Sequence, residues 1–65
     1  MKCELFYKTA MDVNDHFADY IGRAVFSVSV SEIAQTLTRD GFILFRHGNK
    51  QICVFMHQVI GLNEI

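Results

Sequence analysis

Two uninterrupted apolar runs, residues 42–45 and 52–56, flank a short polar segment in the second half of the chain. Gly48 and Asn49 in that segment form a favoured two-residue hairpin turn. This register predicts four cross-strand pairs: Phe45 with Ile52, Leu44 with Cys53, Ile43 with Val54, and Phe42 with Phe55. Successive strand side chains point to opposite faces, so both faces of the hairpin are apolar. We therefore expect the hairpin to be covered on both sides, with one cover supplied by another molecule.

The first half of the chain has shorter patterns. Residues 2 to 8 alternate and predict an edge strand, with one side formed by Cys3, Leu5 and Tyr7. Apolar residues then recur at helical spacing, which predicts a helix capped by Asp12 and ended by Gly22. Alternation returns from residue 24 to 31 and predicts a half-buried strand.

Residues 31 to 41 fit two structures. As a helix, this segment has Ser31 as its N-cap and Gly41 as its stop. As a strand, it places Ile33 and Leu37 on one side, and its threonines suit a sheet. Local propensity mildly favours the helix because no turn residue lies near Ser31. Beyond the hairpin, residues 56 to 58 are expected to break the strand, and a short last strand follows at 59 to 62.

Size and composition favour one self-associating domain, residues 1–65. A chain of 65 residues buries only about 60% of its unfolded surface, so its own core is marginal. Two cysteines and no recognisable secretory signal predict a reduced, cytoplasmic protein. No apolar run approaches the ~20 residues of a membrane span, so no membrane partner is expected. A homo-oligomer is the remaining route to stability.

The polar residues give little support for catalysis. Cys53 and His57 would lie about 13 Å apart along a strand, beyond the reach of thiol activation. The cysteines and histidines lack the paired spacings of zinc sites. We find no phosphate-binding glycine loop, no nucleophile elbow and no suitable carboxylate cluster. We therefore expect a protein that is not an enzyme and has neither cofactor nor metal.

Two groups of polar residues each fit two interpretations. In an extended hairpin register, Asp40 lies opposite His57, where its carboxylate would form a structural hydrogen bond or hold the imidazole in a ligand pocket. At the hairpin tip, Arg46, His47 and Lys50 form a positive patch. This patch fits phosphate contacts, but it also fits charges that stop an apolar strand pair from adding to other sheets. The net charge of −1 gives no general attraction for nucleic acid.

Three segments resemble the Sm-like family, in particular its bacterial Hfq branch: residues 13–21, 40–42 and 50–59. The first is similar to that family's N-terminal helix. The second is similar to the turn into its third strand, and the third to its aromatic and histidine signature. The resemblance implies an α+β fold in which a helix near the N-terminus precedes a small, strongly bent antiparallel sheet. The alternative is a β-α-β-α-β-β order with a second helix at 31–39.

The resemblance also implies a single-stranded RNA pocket formed by Asn14, Phe42, Phe55 and His57. An aromatic ring would stack on a base, and the amide and imidazole would form hydrogen bonds with it. Arg46 and Lys50 would contact phosphates. Met56 stands where the family has its pocket lysine, and the segment before Asp40 is several residues shorter than in the family.

Two functional hypotheses follow. The first is a self-associating Sm-like module that binds single-stranded RNA. The second is a small regulator or inhibitor of the mobile-element type that docks on a protein target through the apolar hairpin. In either case the expected interface residues are Leu44, Cys53, Val54, Met56 and Val59.

Overall fold

The structure, a computed structural model, describes the backbone of residues 1–13 and 16–65 and the side chains of residues 1–9 and 20–65. Its elements in chain order are β1 (Cys3–Val13), β2 (His16–Phe26), α1 (Val30–Asp40), β3 (Phe42–His47), β4 (Lys50–Phe55), a 3₁₀ turn (Met56–Gln58) and β5 (Val59–Glu64). The described part of the chain thus has one helix and two antiparallel sheets, which confirms the α+β class.

Strand β1 is the centre of the larger sheet, whose strand order is β2-β1-β5. The prediction of an edge strand at residues 2 to 8 is therefore wrong, because β5 returns to pair with β1. Cys3, Leu5 and Tyr7, which the alternation places on one side of the strand, are all buried.

The helix predicted from Asp12 to Gly22 is wrong where the chain is described, because His16–Phe26 is strand β2. The β1–β2 ladder continues from Cys3 opposite Phe26 to Val13 opposite His16. Alternation in β2 puts Tyr20, Gly22 and Ala24 on the same face as Phe26. Of the strand predicted over 24 to 31, residues 24 to 26 form the end of β2. The strand ends at Phe26, and helix α1 begins at Val30. Residues 14 and 15 lie outside the described residues.

Helix α1 confirms the helical interpretation of the ambiguous segment. It begins after Ser29, whose side chain accepts a hydrogen bond from the Glu32 N–H at 3.4 Å, so Ser31 is not the cap. It ends at Gly41, where φ is 81° and the N–H donates to the Leu37 carbonyl at 2.8 Å. Glycine adopts this left-handed conformation without a Cβ penalty.

The hairpin of β3 and β4 has the predicted register at all four pairs, and the turn contains Gly48 with φ of 64°. Its inner face and helix α1 together cover one face of the larger sheet. The buried core comprises Cys3, Leu5, Tyr7, Ala24, Ile33, Leu37, Ile43 and Val54. The interruption at residues 56 to 58 is the 3₁₀ turn, and the last strand extends to Glu64.

The helix lies between β2 and β3, not before the first strand as the Sm-like resemblance implies. The five strands of the described backbone form two sheets, so the single bent sheet of that expectation is not confirmed. Of the two helices in the alternative order, the described residues contain only one, at Val30–Asp40.

Candidate functional site

The face of the hairpin that points away from the core is the candidate functional site. We call it the outer face, and it comprises Phe42, Leu44, Arg46, Gln51, Cys53 and Phe55. Leu44 is 51% exposed and Phe55 is 48% exposed, whereas Val54 on the opposite face is fully buried. Both faces are apolar, but within the described residues only the inner face is covered.

An aromatic row occupies one end of the outer face. The ring centroids of Phe42 and Phe55 are 6.2 Å apart, with planes tilted by 60°. The centroids of Phe55 and His57 are 5.9 Å apart, with planes within 11° of parallel. Such an exposed, nearly parallel pair of rings presents π surface that another planar group can contact.

Gln58 fixes the 3₁₀ turn that carries His57. Its carboxamide oxygen accepts a hydrogen bond from the Phe55 N–H at 2.8 Å, and its nitrogen donates to the Lys8 carbonyl at 3.0 Å. The Met56 N–H donates to the Gly41 carbonyl at 2.9 Å. The turn is therefore anchored both to β1 and to the end of the helix.

The structure brings together three of the residues predicted to bind RNA: Phe42, Phe55 and His57. Arg46 lies on the same face four residues from Phe42, a distance of about 13 Å along a strand. Lys50 pairs with His47 and alternates to the opposite face, so the two predicted phosphate contacts are separated. Asn14 lies outside the described residues.

The predicted interface residues also divide between the surface and the interior. Leu44, Cys53 and Met56 are exposed, with Leu44 at 51% and Met56 at 55%. Val54 is fully buried in the core, and Val59 is partly buried against it. The strand alternation explains the difference for Val54, which points inward between two outward neighbours.

The predicted pairing of Asp40 with His57 is not formed by the hairpin, because its ladder ends at Phe42 and Phe55. Both carboxylate oxygens of Asp40 accept hydrogen bonds from Arg39, at 3.0 and 3.1 Å. These bonds hold the pKa of Asp40 below its ordinary value. His57 instead lies against Phe55.

The two cysteines have contrasting environments. Cys53 is an exposed thiol in the middle of the outer face. Cys3 is buried, and burial, followed by the charge of Glu64, raises the pKa of its thiol. Within the described residues, no three His, Cys, Asp or Glu side chains are grouped as metal ligands.

A second surface feature is not among the sequence predictions, because the spacing of apolar residues there predicts a helix from Asp12 to Gly22. We call it the β2 groove, and it lies between strand β2 and the tip of the hairpin. Two cavities of about 260 and 400 Å³ form it, and both are lined by Arg23 and His47. The sequence signal that could have located it is the alternation that continues through Tyr20, Gly22 and Ala24.

No protein-family model matches the sequence, and neither the curated proteins nor the solved structures give a match. No helix in the described part of the chain has the length and apolarity to cross a membrane.

Proposed function

We propose that this protein is a non-enzymatic self-associating module in which two copies pair through their outer faces. The observation that carries the proposal is the uncovered apolar surface of the hairpin, centred on Leu44 and Cys53 and extended by Phe55. Contiguous exposed apolar surface on a small protein is typical of an interaction site.

Pairing would bury side chains that are half exposed in the single chain. Burying a whole leucine or phenylalanine side chain contributes about 1.5–3 kcal/mol, so the exposed halves of Leu44 and Phe55 offer about 1 kcal/mol each. A two-fold interface uses each of these residues twice. Because the core of a 65-residue chain is marginal, this additional burial stabilises the folded state.

Electrostatics favour one relative orientation of the two copies. Arg46 lies at one end of the outer face and Phe42 with Phe55 at the other. If the strands of the two copies run antiparallel, each Arg46 approaches the aromatic end of its partner and makes a cation–π contact. The parallel orientation would bring the two Arg46 side chains together. Two sheets packed in this way are about 10 Å apart.

Sedimentation velocity over a range of protein concentrations tests the proposal. We expect a concentration-dependent dimer, and we expect Leu44→Asp to shift it to monomer because the carboxylate would be buried without a partner. Ile60→Asp is a matched control, since Ile60 is 55% exposed but lies in β5. Wild-type protein that stays monomeric at high micromolar concentration would contradict the proposal, as would equal dissociation by both substitutions.

The stacked pair of Phe55 and His57 favours a second candidate function, single-stranded RNA binding. Bases stack on exposed aromatic side chains, and each stacked base contributes about 1–3 kcal/mol. The Sm-like resemblance suggests a uridine-rich oligonucleotide as the probe. We expect binding that weakens with salt and with Phe55→Ala or His57→Ala.

The two candidate functions use the same rings, so they compete. If Phe55 serves both self-association and RNA binding, a Phe55 ring stacked on a base cannot also contact a second copy. Sedimentation with the oligonucleotide would then show one protein copy per bound RNA. A ternary complex of two copies and RNA would show that the two functions use different surfaces. No salt-sensitive binding, or no effect of either alanine substitution, would exclude this RNA site.

A further inference from the structure

Strand β2 has a free edge that faces the hairpin across the β2 groove. In the described backbone, β2 pairs with β1 alone, and β3 pairs with β4 alone. An edge strand retains outward N–H and C=O groups that another extended chain can pair with. From Tyr20 to Phe26 this edge is about 20 Å long, which is enough for a peptide of about six residues.

Aromatic packing holds the far wall of the groove in place. Phe45 of β3 contacts Phe26 edge-on, with ring centroids 5.3 Å apart, and Tyr7 likewise at 5.9 Å. These contacts join the hairpin to the larger sheet without any backbone pairing between β2 and β3. The groove is therefore a preformed cleft with a strand edge on one side and an aromatic wall on the other.

The charged side chains that the structure describes along the groove are cationic. Arg23 lines both cavities and Arg46 lines the larger one, and Lys50 lies opposite His47 in the ladder. Arg23 is balanced by Glu4, whose carboxylate is 2.8 Å from its guanidinium. None of the described side chains lining the two cavities is a carboxylate. Among the described residues Arg46 has no carboxylate partner, and it attracts acidic side chains to the open side of the groove.

The smaller cavity, about 260 Å³, has an apolar part beside Gly22. It is lined by Tyr7, Gly22 and Ile52, which we call its floor, together with Thr9, Tyr20, Arg23 and His47. An extended peptide would direct every second side chain toward this floor and the intervening ones toward the charged rim. Apolar and acidic residues in alternation satisfy both surfaces.

We propose that the β2 groove binds an extended acidic peptide of another protein, which adds to β2 as an antiparallel strand with apolar side chains on the floor. The main-chain hydrogen bonds of such strand addition supply affinity, and the cavities supply specificity. The site is distinct from the outer face, although Arg46 borders both.

The test uses a fluorescent hexapeptide of alternating valine and glutamate, with the intact protein carrying Leu44→Asp so that outer-face pairing is removed. We expect saturable binding by anisotropy. We expect affinity at least about tenfold lower for a valine and lysine hexapeptide, and for the acidic peptide methylated on alternate backbone nitrogens. Arg46→Glu should lower affinity about tenfold or more. Arg39→Glu, the same charge change on the helix, should leave it within about twofold.

Hydrogen exchange locates the binding. The amides of residues 20 to 26 should gain protection when the acidic peptide is added, while those of β4 should not. Equal binding of the N-methylated peptide, no binding at millimolar concentration, or protection confined to β4 would overturn the proposal. Protection of β2 in a concentration-dependent dimer without peptide would overturn it in favour of pairing between two copies. The outcome for the outer face does not affect these results.

Discussion

Gly22 is required by the ring of Tyr7, its partner in the β1–β2 ladder. A Cβ built on Gly22 would overlap the ring and hydroxyl of Tyr7. Tyr7 is 6% exposed and packs edge-on against Phe45, so the ring cannot move aside without disturbing the contact between the sheets. An aromatic ring over a strand glycine also shields the glycine backbone, which offsets its poor strand propensity.

Gly22→Ala should therefore lower the free energy of unfolding by about 1–3 kcal/mol, as overpacking of a core does. Chemical denaturation measures this loss. Gly61→Ala is the matched control, because the nearest atom to a Cβ there is at 3.8 Å, in ordinary contact. The double variant with Tyr7→Leu should recover part of the loss. Equal effects at the two glycines would show that Tyr7 does not impose the requirement.

The two thiols should differ in reactivity. Cys53 is exposed, whereas Cys3 is fully buried and the raised pKa of its thiol leaves less thiolate at pH 8. We expect a thiol reagent to label one cysteine per chain quickly and the second only after denaturant is added. Cys53→Ser should abolish the fast phase and Cys3→Ala should leave it unchanged. A fast phase that survives Cys53→Ser would show that the core opens readily around Cys3.

At the scale of elements, the sequence predicts the structure where a local signal fixes the geometry. Gly48 and Asn49 set the turn, and the turn set every pair of the hairpin down to Phe42 with Phe55. The interruption after the hairpin was also predictable from the change of pattern at Met56. These elements depend on neighbours close in the chain, which is the information that one sequence carries.

The pairing of β1 with β2 was not predictable in the same way. Apolar residues at 13, 17 and 21 are spaced by four, which fits one face of a helix and one face of a strand equally well. The ladder with β1 decides for the strand, and that contact is tertiary. The β2 groove was missed for the same reason, since a helix has no free strand edge.

The start of helix α1 can be tested by a pair of serines. Ser29→Ala removes the side-chain acceptor for the Glu32 N–H and should cost about 0.5–1 kcal/mol in unfolding free energy. Ser31→Ala, within the helix, should change it by less and in the stabilising direction, because alanine has the higher helix propensity. A larger loss at Ser31 would place the cap there and would contradict the observed helix start.

At the scale of the whole molecule, the fold has more apolar surface than its own layers cover. Helix α1 and the inner face of the hairpin share one face of the larger sheet, so no element of the described chain is left to cover the outer face. Self-association through this face and peptide binding in the β2 groove use two surfaces that meet at Arg46.

If the outer face pairs two copies, folding and association are linked, and thermal stability must depend on protein concentration. The midpoint of unfolding of the wild-type protein should rise as the concentration is raised from about 1 to 100 μM, since a dimer that unfolds to two chains is favoured by mass action. Leu44→Asp removes the apolar centre of the interface, so its midpoint should be independent of concentration. At the lowest concentration, where the wild-type protein is monomeric, the two midpoints should converge, because Leu44 is already half exposed in the single chain. Differential scanning fluorimetry measures the midpoint of each protein at both ends of the concentration range. Ile60→Asp should keep the wild-type dependence of the midpoint on concentration. A wild-type midpoint that does not change over this range, or a Leu44→Asp protein that is less stable by the same amount at every concentration, would show that Leu44 supports the fold of one chain and not its pairing with another.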